Sequence, residues 1–369
     1  MNATRRENSG RPTGLMKNPY ASAPQHAYWS RAISRKAQGD VDPVVAPSFQ
    51  ISPDTKVATA GSCFAQHIAR HLRKVGINPL VTERAHAEVA RFAEDFHYGV
   101  YTARYGNIYS GRQLIQLFDR AYGAFVPEEQ PWRGRNGEYI DPFRPLIPDG
   151  FATLREFERD RERHFAAVRE MFETLDVMVF TLGLTETWVS RADGAVFPSC
   201  PGSVGGVWDP DKYAFVNQSV TDVATDVTRF IARLRTVNPE AKVLLTVSPV
   251  PLVATATGNH VLPATVYSKS VLRVAAQQVV DAHENVDYFP SYEIITGPHA
   301  GDYFEDDRRN VRQAGVEAVM KVFGRHYVCV VEAVEEVAAS EVGPSSDTVV
   351  ASRAMDVICD EMFYDYKES

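Results

Sequence analysis

The sequence predicts an α/β protein: a three-layer sandwich around a mainly parallel sheet, of the flavodoxin-like kind, with an insertion that shapes a pocket. Three observations carry this. Short apolar runs at 56–60, 176–182, 242–247 and 286–289 read as buried strands. Amphipathic stretches lie between them, which implies right-handed β-α-β crossovers and a sheet covered on both faces. Each run ends on polar or turn-forming residues: Gly61-Ser62-Cys63, Gly183-Leu184-Thr185-Glu186, Ser248-Pro249 and Pro290-Ser291-Tyr292-Glu293. In such sheets ligands bind at the carboxyl ends of the strands, so these four ends are expected to form one rim.

Taken in order, residues 1–50 are rich in Pro, Ala, Ser and Arg and lack a sustained period, so they read as an arm wrapping the domain, anchored at Tyr28-Trp29. The α/β domain itself is expected over 51–326. Phe64, Ile68, Leu72 and Val75 recur at helical spacing after Gly61, and Gly76 closes that helix. Residues 85–150 are dense in aromatics, Gly and Pro, with only 111–122 helical, and are taken as the pocket-forming insertion. Thr153 followed by Glu156 is a capping box that opens a helix to about Thr174. The Gly/Pro/Asp-rich stretch 189–216 reads as loop. Thr221 opens a helix that Asn238-Pro239 stops. A further helix is expected from Ser268 or Ser270 to His283, and a last one over 311–324. Residues 327–369 form an acidic tail with a Gly343-Pro344 hinge and an amphipathic segment at 348–364.

Composition excludes some classes of function. The chain has 369 residues, 44% hydrophobic and 23% charged, with a formal net charge of −8. That is ordinary globular composition, and its acidic balance argues against nucleic acid or anionic lipid as partner. The four cysteines, Cys63, Cys200, Cys329 and Cys359, are scattered. They form neither a zinc-type cluster nor a disulfide framework, so thiols in a reducing compartment are expected, with no metal and no cofactor. No apolar h-region follows Arg5-Arg6 and no run of about eighteen apolar residues occurs, so a cytoplasmic protein without a membrane span is expected. Oligomeric state is not legible.

Gly61-Ser62-Cys63 concentrates the chemistry. A nucleophile on a strand-to-helix turn sits at the rim under a helix N-terminus, whose N–H groups stabilise an anion. Cys63 there is expected to ionise more readily than a free thiol, and the same N–H groups can form an oxyanion hole. Ser62 is the other candidate nucleophile, but a hydroxyl depends more heavily on a general base. The plainer reading makes Ser62 an N-cap and Cys63 a small buried residue.

Residues 57–69, Val-Ala-Thr-Ala-Gly-Ser-Cys-Phe-Ala-Gln-His-Ile-Ala, resemble the signature of the GSCFA-domain family, named for the five residues found here at 61–65. The resemblance continues through Tyr98–Tyr109, Thr181–Trp188, Thr246–Leu252, Tyr267–Ser270 and Tyr288–Ile294, covering roughly 18–326. The family is grouped with SGNH/GDSL-type esterases, which implies that fold and ester chemistry. The resemblance puts Cys63 where the nucleophilic serine of the SGNH Gly-Asp-Ser block stands, and Ser62 at the aspartate of that block. Thr185 then takes the place of the oxyanion asparagine, with Glu186 beside it as an acid/base or a hydroxyl ligand; helix capping is the structural alternative for both. Gly106-Asn107 is the candidate for a further oxyanion donor, with a simple turn as its alternative.

The last SGNH block, Asp-x-x-His, corresponds to Asp307-Arg308-Arg309-Asn310. Asn310 cannot take a proton at neutral pH, and with Gln313 it reads as a helix N-cap. Replacement bases are His67, one turn after Cys63, and His299, with Asp307 or Glu293 as orienting carboxylates. Lys269 and Ser268 read as the opening of a helix, and Cys200-Pro201-Gly202 as a turn. The function these residues imply is an esterase or acyltransferase with a Cys63 or Ser62 nucleophile acting on a small-molecule or carbohydrate ester, in polysaccharide assembly by analogy. The rival is a non-catalytic binding or scaffolding protein that kept the cleft and lost the base. A redox-sensing thiol would need Cys200 as resolving partner.

Overall fold

The computed structural model describes residues 18–329. In chain order its elements are α1 (Trp29–Ala32), β1 (Val57–Gly61), α2 (Ala65–Lys74), α3 (Gly111–Ala121), β2 (Trp132–Arg133), β3 (Tyr139–Ile140), α4 (Leu154–Thr174) and β4 (Val177–Leu182). There follow β5 (Glu186–Ser190), β6 (Val196–Phe197), β7 (Tyr213–Asn217), α5 (Val220–Val237), β8 (Lys242–Val247), α6 (Val261–Ala282), β9 (Val286–Phe289), α7 (Ser291–Thr296) and α8 (Gln313–Tyr327). Strands β1, β4, β8 and β9 form one parallel sheet in that order. The register aligns Gly61, Thr181, Thr246 and Phe289 across it, so all four strands end on one rim.

The pleat sorts the side chains into two cores. Val57, Val177, Val179, Leu244 and Phe289 face α2, α7 and α8, while Ala58, Ala60, Met178, Phe180, Leu245 and Val247 face α3 to α6. This makes the three-layer sandwich. Each fully buried Val, Leu or Phe in it contributes roughly 1.5–3 kcal/mol before the entropy of ordering. The capping box of α4 forms, with Thr153 accepting from Glu156 N–H, and two more open α3 (Ser110, Gln113) and α5 (Ser219, Asp222).

Several elements differ from expectation. The arm is not anchored by Tyr28-Trp29, since Trp29 is 63% exposed; among its described residues Val41 and Phe49 are buried hydrophobics, and Ile51 follows just beyond it. Ile51 bridges Val328 beside the end of α8, and Asp42 accepts from Arg325 and His326. Within 85–150, α3 packs on α4 and α5 as part of the layer over the sheet, and β2 and β3 form a small ribbon. The stretch 189–216 is no plain loop, because β5, β6 and β7 make an antiparallel sheet in the order β6-β5-β7. Trp188, Phe197 and Tyr213 supply that sheet's apolar face, a pattern masked by the intervening Gly and Pro. Helix α6 starts at Val261, because Pro263 sits in its first turn, where the missing N–H has no intrahelical partner to lose. The tail beyond 329 lies outside the described residues.

One backbone position governs how β1 meets β4. Gly61 has φ +141°, and a Cβ there would lie 2.4 Å from the Thr181 carbonyl oxygen and 2.6 Å from the Thr181 Cβ. Gly76, which ends α2 at φ +80°, has nothing within 4 Å of the same position. Gly61→Ala is therefore expected to cost about 3 kcal/mol or more, or to prevent folding, while Gly76→Ala costs about 1 kcal/mol. Urea unfolding of both variants checks this; equal losses would show that the Gly61 contact is not a constraint.

Candidate active site

From Gly61 the chain turns at once. Ser62 N–H donates to the Thr181 carbonyl at 3.1 Å, and the N–H groups of Ala65 and Gln66 donate back to Ser62 and Cys63 at 2.9 and 3.2 Å. These bonds wind 62–64 into a tight turn that runs straight into α2. Phe64 is the N-cap position and no side chain caps the helix, so Ser62 is not the N-cap. Ser62 and Cys63 are 3% and 7% exposed. The hydroxyls of Ser62 and Thr181 are buried with no hydrogen-bond partner.

Two neighbouring segments close on this turn. Gly106, at φ +73°, makes the bend before Asn107. Ile108 N–H then donates to the Gly61 carbonyl at 2.8 Å, which ties 106–109 to the end of β1. Asn107 is buried, and its Oδ1 accepts from Gln66 Nε2 and from the Tyr101 hydroxyl, both at 3.4 Å. Gln66 lies three residues after Cys63, on the same side of the turn and helix. Gly183, at the end of β4, is the second neighbour. A Cβ on it would lie 2.8 Å from the Tyr109 ring and 3.1 Å from Ser62 Cβ, and its N–H donates to the Tyr109 carbonyl at 2.8 Å.

Helix α6 clamps the 183–185 turn. Ser268 Oγ accepts from Thr185 N–H at 3.0 Å, and Lys269, 1% exposed, donates from Nζ to the Gly183 carbonyl at 2.6 Å. The sequence reading set both residues aside as a helix opening. The signal for them is a polar pair on the buried side of a helix, which shows only when the helix begins at Val261. Gln66, Tyr101 and Tyr109 were also missed, since aromatic or amide residues near a turn have no chemical spacing that marks them.

Thr185 and Glu186 do not cap a helix, because Glu186 opens β5. The Thr185 hydroxyl donates to Asn217 Oδ1 at 2.6 Å, so its one O–H is already used. Glu186 accepts from the Thr255 hydroxyl at 2.6 Å and from Ala256 N–H at 3.0 Å, fixing the loop between β8 and α6. With Tyr109, Leu184, Trp188, Phe197 and Leu252, Glu186 lines a cleft of about 210 Å³; Ser62 and Cys63 do not line it, and Tyr109, which packs on Gly183, stands between. Cys200 also borders it, and burial pushes that thiol up to about 11, against a reactive second cysteine.

The last block is turned on itself. The Asp307 carboxylate accepts from the N–H groups of Arg309 (2.8 Å) and Asn310 (2.9 Å) and from Asn310 Nδ2 (2.6 Å). Burial works against its ionisation, but these bonds more than offset that and lower its pKa. Asn310 is exposed and does not cap α8; Arg312 holds the N-cap position without a side-chain bond. His299 folds back over Gly297, and burial lowers its pKa. Both its ring nitrogens are buried with no hydrogen-bond partner, so it makes no bond to Cys63. The His67 ring packs on Phe64, and burial, then Arg70, push it down to about 4. No group of His, Cys, Asp or Glu among the described residues is arranged to hold a metal ion, and no described helix is long and apolar enough to cross a membrane.

Comparison with known proteins gives one match by sequence and several by structure. The model of the GSCFA family matches residues 56–323. No curated protein matches the chain. Among solved structures it is similar to a family 3 carbohydrate esterase of Clostridium thermocellum, at 11% identity over 75% of this chain and 95% of that one, TM-score 0.33. A family 3 carbohydrate esterase from Talaromyces cellulolyticus matches at 14% identity over 73% and 95%, TM-score 0.27. The salicylyl-acyltransferase SsfX3 of a tetracycline biosynthetic pathway matches at 14% identity over 43% and 40%, TM-score 0.25.

Two half-buried histidines set an acid limit to stability. His67 and His97 are both pushed down to about 4, by burial first and then by Arg70 and Arg104 respectively. Their folded pKa values lie below the unfolded value of about 6.5, so the stability they contribute is fully present above that pH and is lost as pH falls toward 4. The melting temperature is expected to drop between pH 7.5 and pH 5. A flat or rising profile across that window would show that the two rings are hydrated in the folded state.

Proposed function

Because this chain belongs to the GSCFA family, whose model spans residues 56–323, we propose that it is an acyl-ester enzyme, a hydrolase or acyltransferase, with Cys63 as nucleophile. The observation that carries this reading is the placement of Ser62-Cys63. They sit on a turn at the carboxyl rim of a parallel sheet, between Asn107 on one side and Gly183 on the other, beside a cleft of about 210 Å³. Cys63 Sγ attacks the acyl carbonyl carbon and its proton passes to a base or to water. The ester C–O bond breaks, the leaving alkoxide takes up a proton, and the resulting thioester gives its acyl group to water or to an acceptor hydroxyl. Backbone N–H groups of the turn and the Asn107 carboxamide are the donors for the oxyanion. Thr185 acts through the backbone that α6 clamps, and Glu186 borders the space for the alcohol part. His299, with both ring nitrogens uncommitted, is the base candidate, and Asp307 stabilises its own loop. A carbohydrate alcohol, in polysaccharide assembly, rests on analogy with SGNH-type esterases.

A second reading is favoured by one observation. Asp307 and Asn310 bond to each other at the surface, as expected of a binding protein whose site has lost its base. Incubation of the full chain with p-nitrophenyl acetate, followed by peptide mass spectrometry, separates the two. The expected result is a hydroxylamine-sensitive acetyl group on the Cys63 peptide and a fall of more than about a thousandfold in turnover for Cys63→Ala. Turnover that survives Cys63→Ala would move the nucleophile to Ser62. No turnover and no adduct would establish the binding reading.

A further inference from the structure

Toward the end of α3 remote from the Cys63 turn lies a cavity of about 290 Å³ that shares no wall residue with the 210 Å³ cleft. Arg120 borders it, nine residues after Gly111 opens α3 and so roughly 14 Å further along the helix axis. Phe157, Arg161 and Phe165, spaced four apart on α4, share one side of that helix and form a second wall. Phe125, after α3, and Phe143, after β3, complete an aromatic lining.

The charges beside Arg120 pair with one another. Glu83 accepts from Arg104 N–H at 2.7 Å and lies 2.7 Å from His164 Nδ1. Arg144 pairs its Nε with Asp141 at 2.7 Å and its Nη2 with Asp160 at 2.8 Å, and Arg104 Nη1 reaches Asp160 at 3.0 Å. Arg120 takes no part in these bonds. Among the described residues no hydrogen bond or ion pair reaches its guanidinium or that of Arg161. Both meet rings instead: Arg120 Cζ lies 3.7 Å from the Phe143 centroid and 5.3 Å from that of Phe165, and Arg161 Cζ 4.9 Å from that of Phe157. A ring supplies no acceptor for the five N–H groups of a guanidinium. Arg120 is 9% exposed, yet its side-chain nitrogens remain accessible, unlike Arg144 Nη1 beside it. Burial lowers its pKa to about 10, with Asp141 opposing and Arg144 and Arg161 adding to the fall, so it is still a cation at neutral pH. The carboxylates on the same walls are committed or exposed. Asp141 also accepts from Phe143 N–H at 3.0 Å, Glu129 accepts from Trp132 Nε1 and the Tyr213 hydroxyl, both at 3.0 Å, and Glu162 is open to solvent.

We infer that this cavity is a binding site for a small carboxylate with a flat apolar body, separate from the Cys63 turn: the phenylalanine rings hold the body and the free N–H groups of Arg120 and Arg161 take the carboxylate. Guanidinium groups match a carboxylate in shape as well as charge, and one such anion answers two neighbouring cations that now repel each other. A cationic ligand would have to enter against both, and a small inorganic anion would leave the rings unused. The site does not depend on the acyl-ester reading of Cys63. Calorimetric titration of the full chain with 2-naphthoate, 2-naphthylmethanol and 2-naphthylmethylamine tests it, because the three probes share a ring system and differ in charge. The carboxylate is expected to bind at least about tenfold more tightly than the alcohol or the amine. Arg120→Met and Arg161→Met, which keep an unbranched side chain and remove the charge, are each expected to abolish that preference, with circular dichroism confirming the fold. Equal affinities, tighter binding of the amine, or no binding of the carboxylate overturns the site. So does a preference that survives Arg120→Met or, should that variant not fold, Arg161→Met, since the carboxylate would then be held elsewhere.

Discussion

The close approach of β1 to β4 at Gly61 is the constraint on which the rest of the molecule turns. The backbone of Thr181 occupies the space where any other residue would carry its Cβ. This contact fixes the register of the two strands, and the register lines up the ends of all four. It also forces the chain to bend immediately, so that Ser62 and Cys63 emerge at the rim rather than continue a strand. Fold and site share one steric cause here. A looser contact would leave the sheet largely intact and still dissolve the site.

The turn is then held from three directions by groups with other duties. The 106–109 segment is tied to β1 by the bond from Ile108 to Gly61, and it brings Asn107 and Tyr109 with it. Gln66 links Asn107 to the first turn of α2. Ser268 and Lys269 reach from α6 to the end of β4. A reactive group gains from such support because its rotamers are limited before a substrate arrives, which lowers the entropic cost of reaching the transition state. The same support is compatible with pure binding, since rigid walls favour affinity as well. What distinguishes the two is proton transfer, and the residues at 307–310 are committed to their own loop.

The sandwich was legible because its signals are local. Apolar runs of four to seven residues, capping boxes at Thr153 and the Gly61-Ser62-Cys63 turn need no knowledge of the partner element. The errors fall where the outcome depends on distant chain. Strands β5 to β7 are short and interrupted by Gly and Pro, and they exist because Trp188, Phe197 and Tyr213 pack together across some twenty-five positions of sequence. The start of α6 was hidden by Pro263, which usually ends helices but is tolerated in a first turn. Placing that start seven or nine residues late makes Ser268 and Lys269 read as a helix opening, when Lys269 lies inside the helix and reaches the end of β4. At the site itself, Cys63, Asn107 and Gly183 could be named from sequence, whereas Gln66, Tyr101 and Ser268 act through geometry that only the fold supplies.

The buried charge cluster has a consequence for how this protein can change over generations. Glu83, Arg104, Asp141, Arg144 and His164 are buried and pair with one another and with the half-buried Asp160. Losing one member strands a desolvated charge, which costs several kcal/mol, whereas exchanging a whole set for apolar residues can be nearly neutral. Drift at these positions is therefore expected to be concerted, with intermediates that fold poorly. Related chains should carry the cluster entire or lack it entire, and an alignment in which its members vary independently would contradict that.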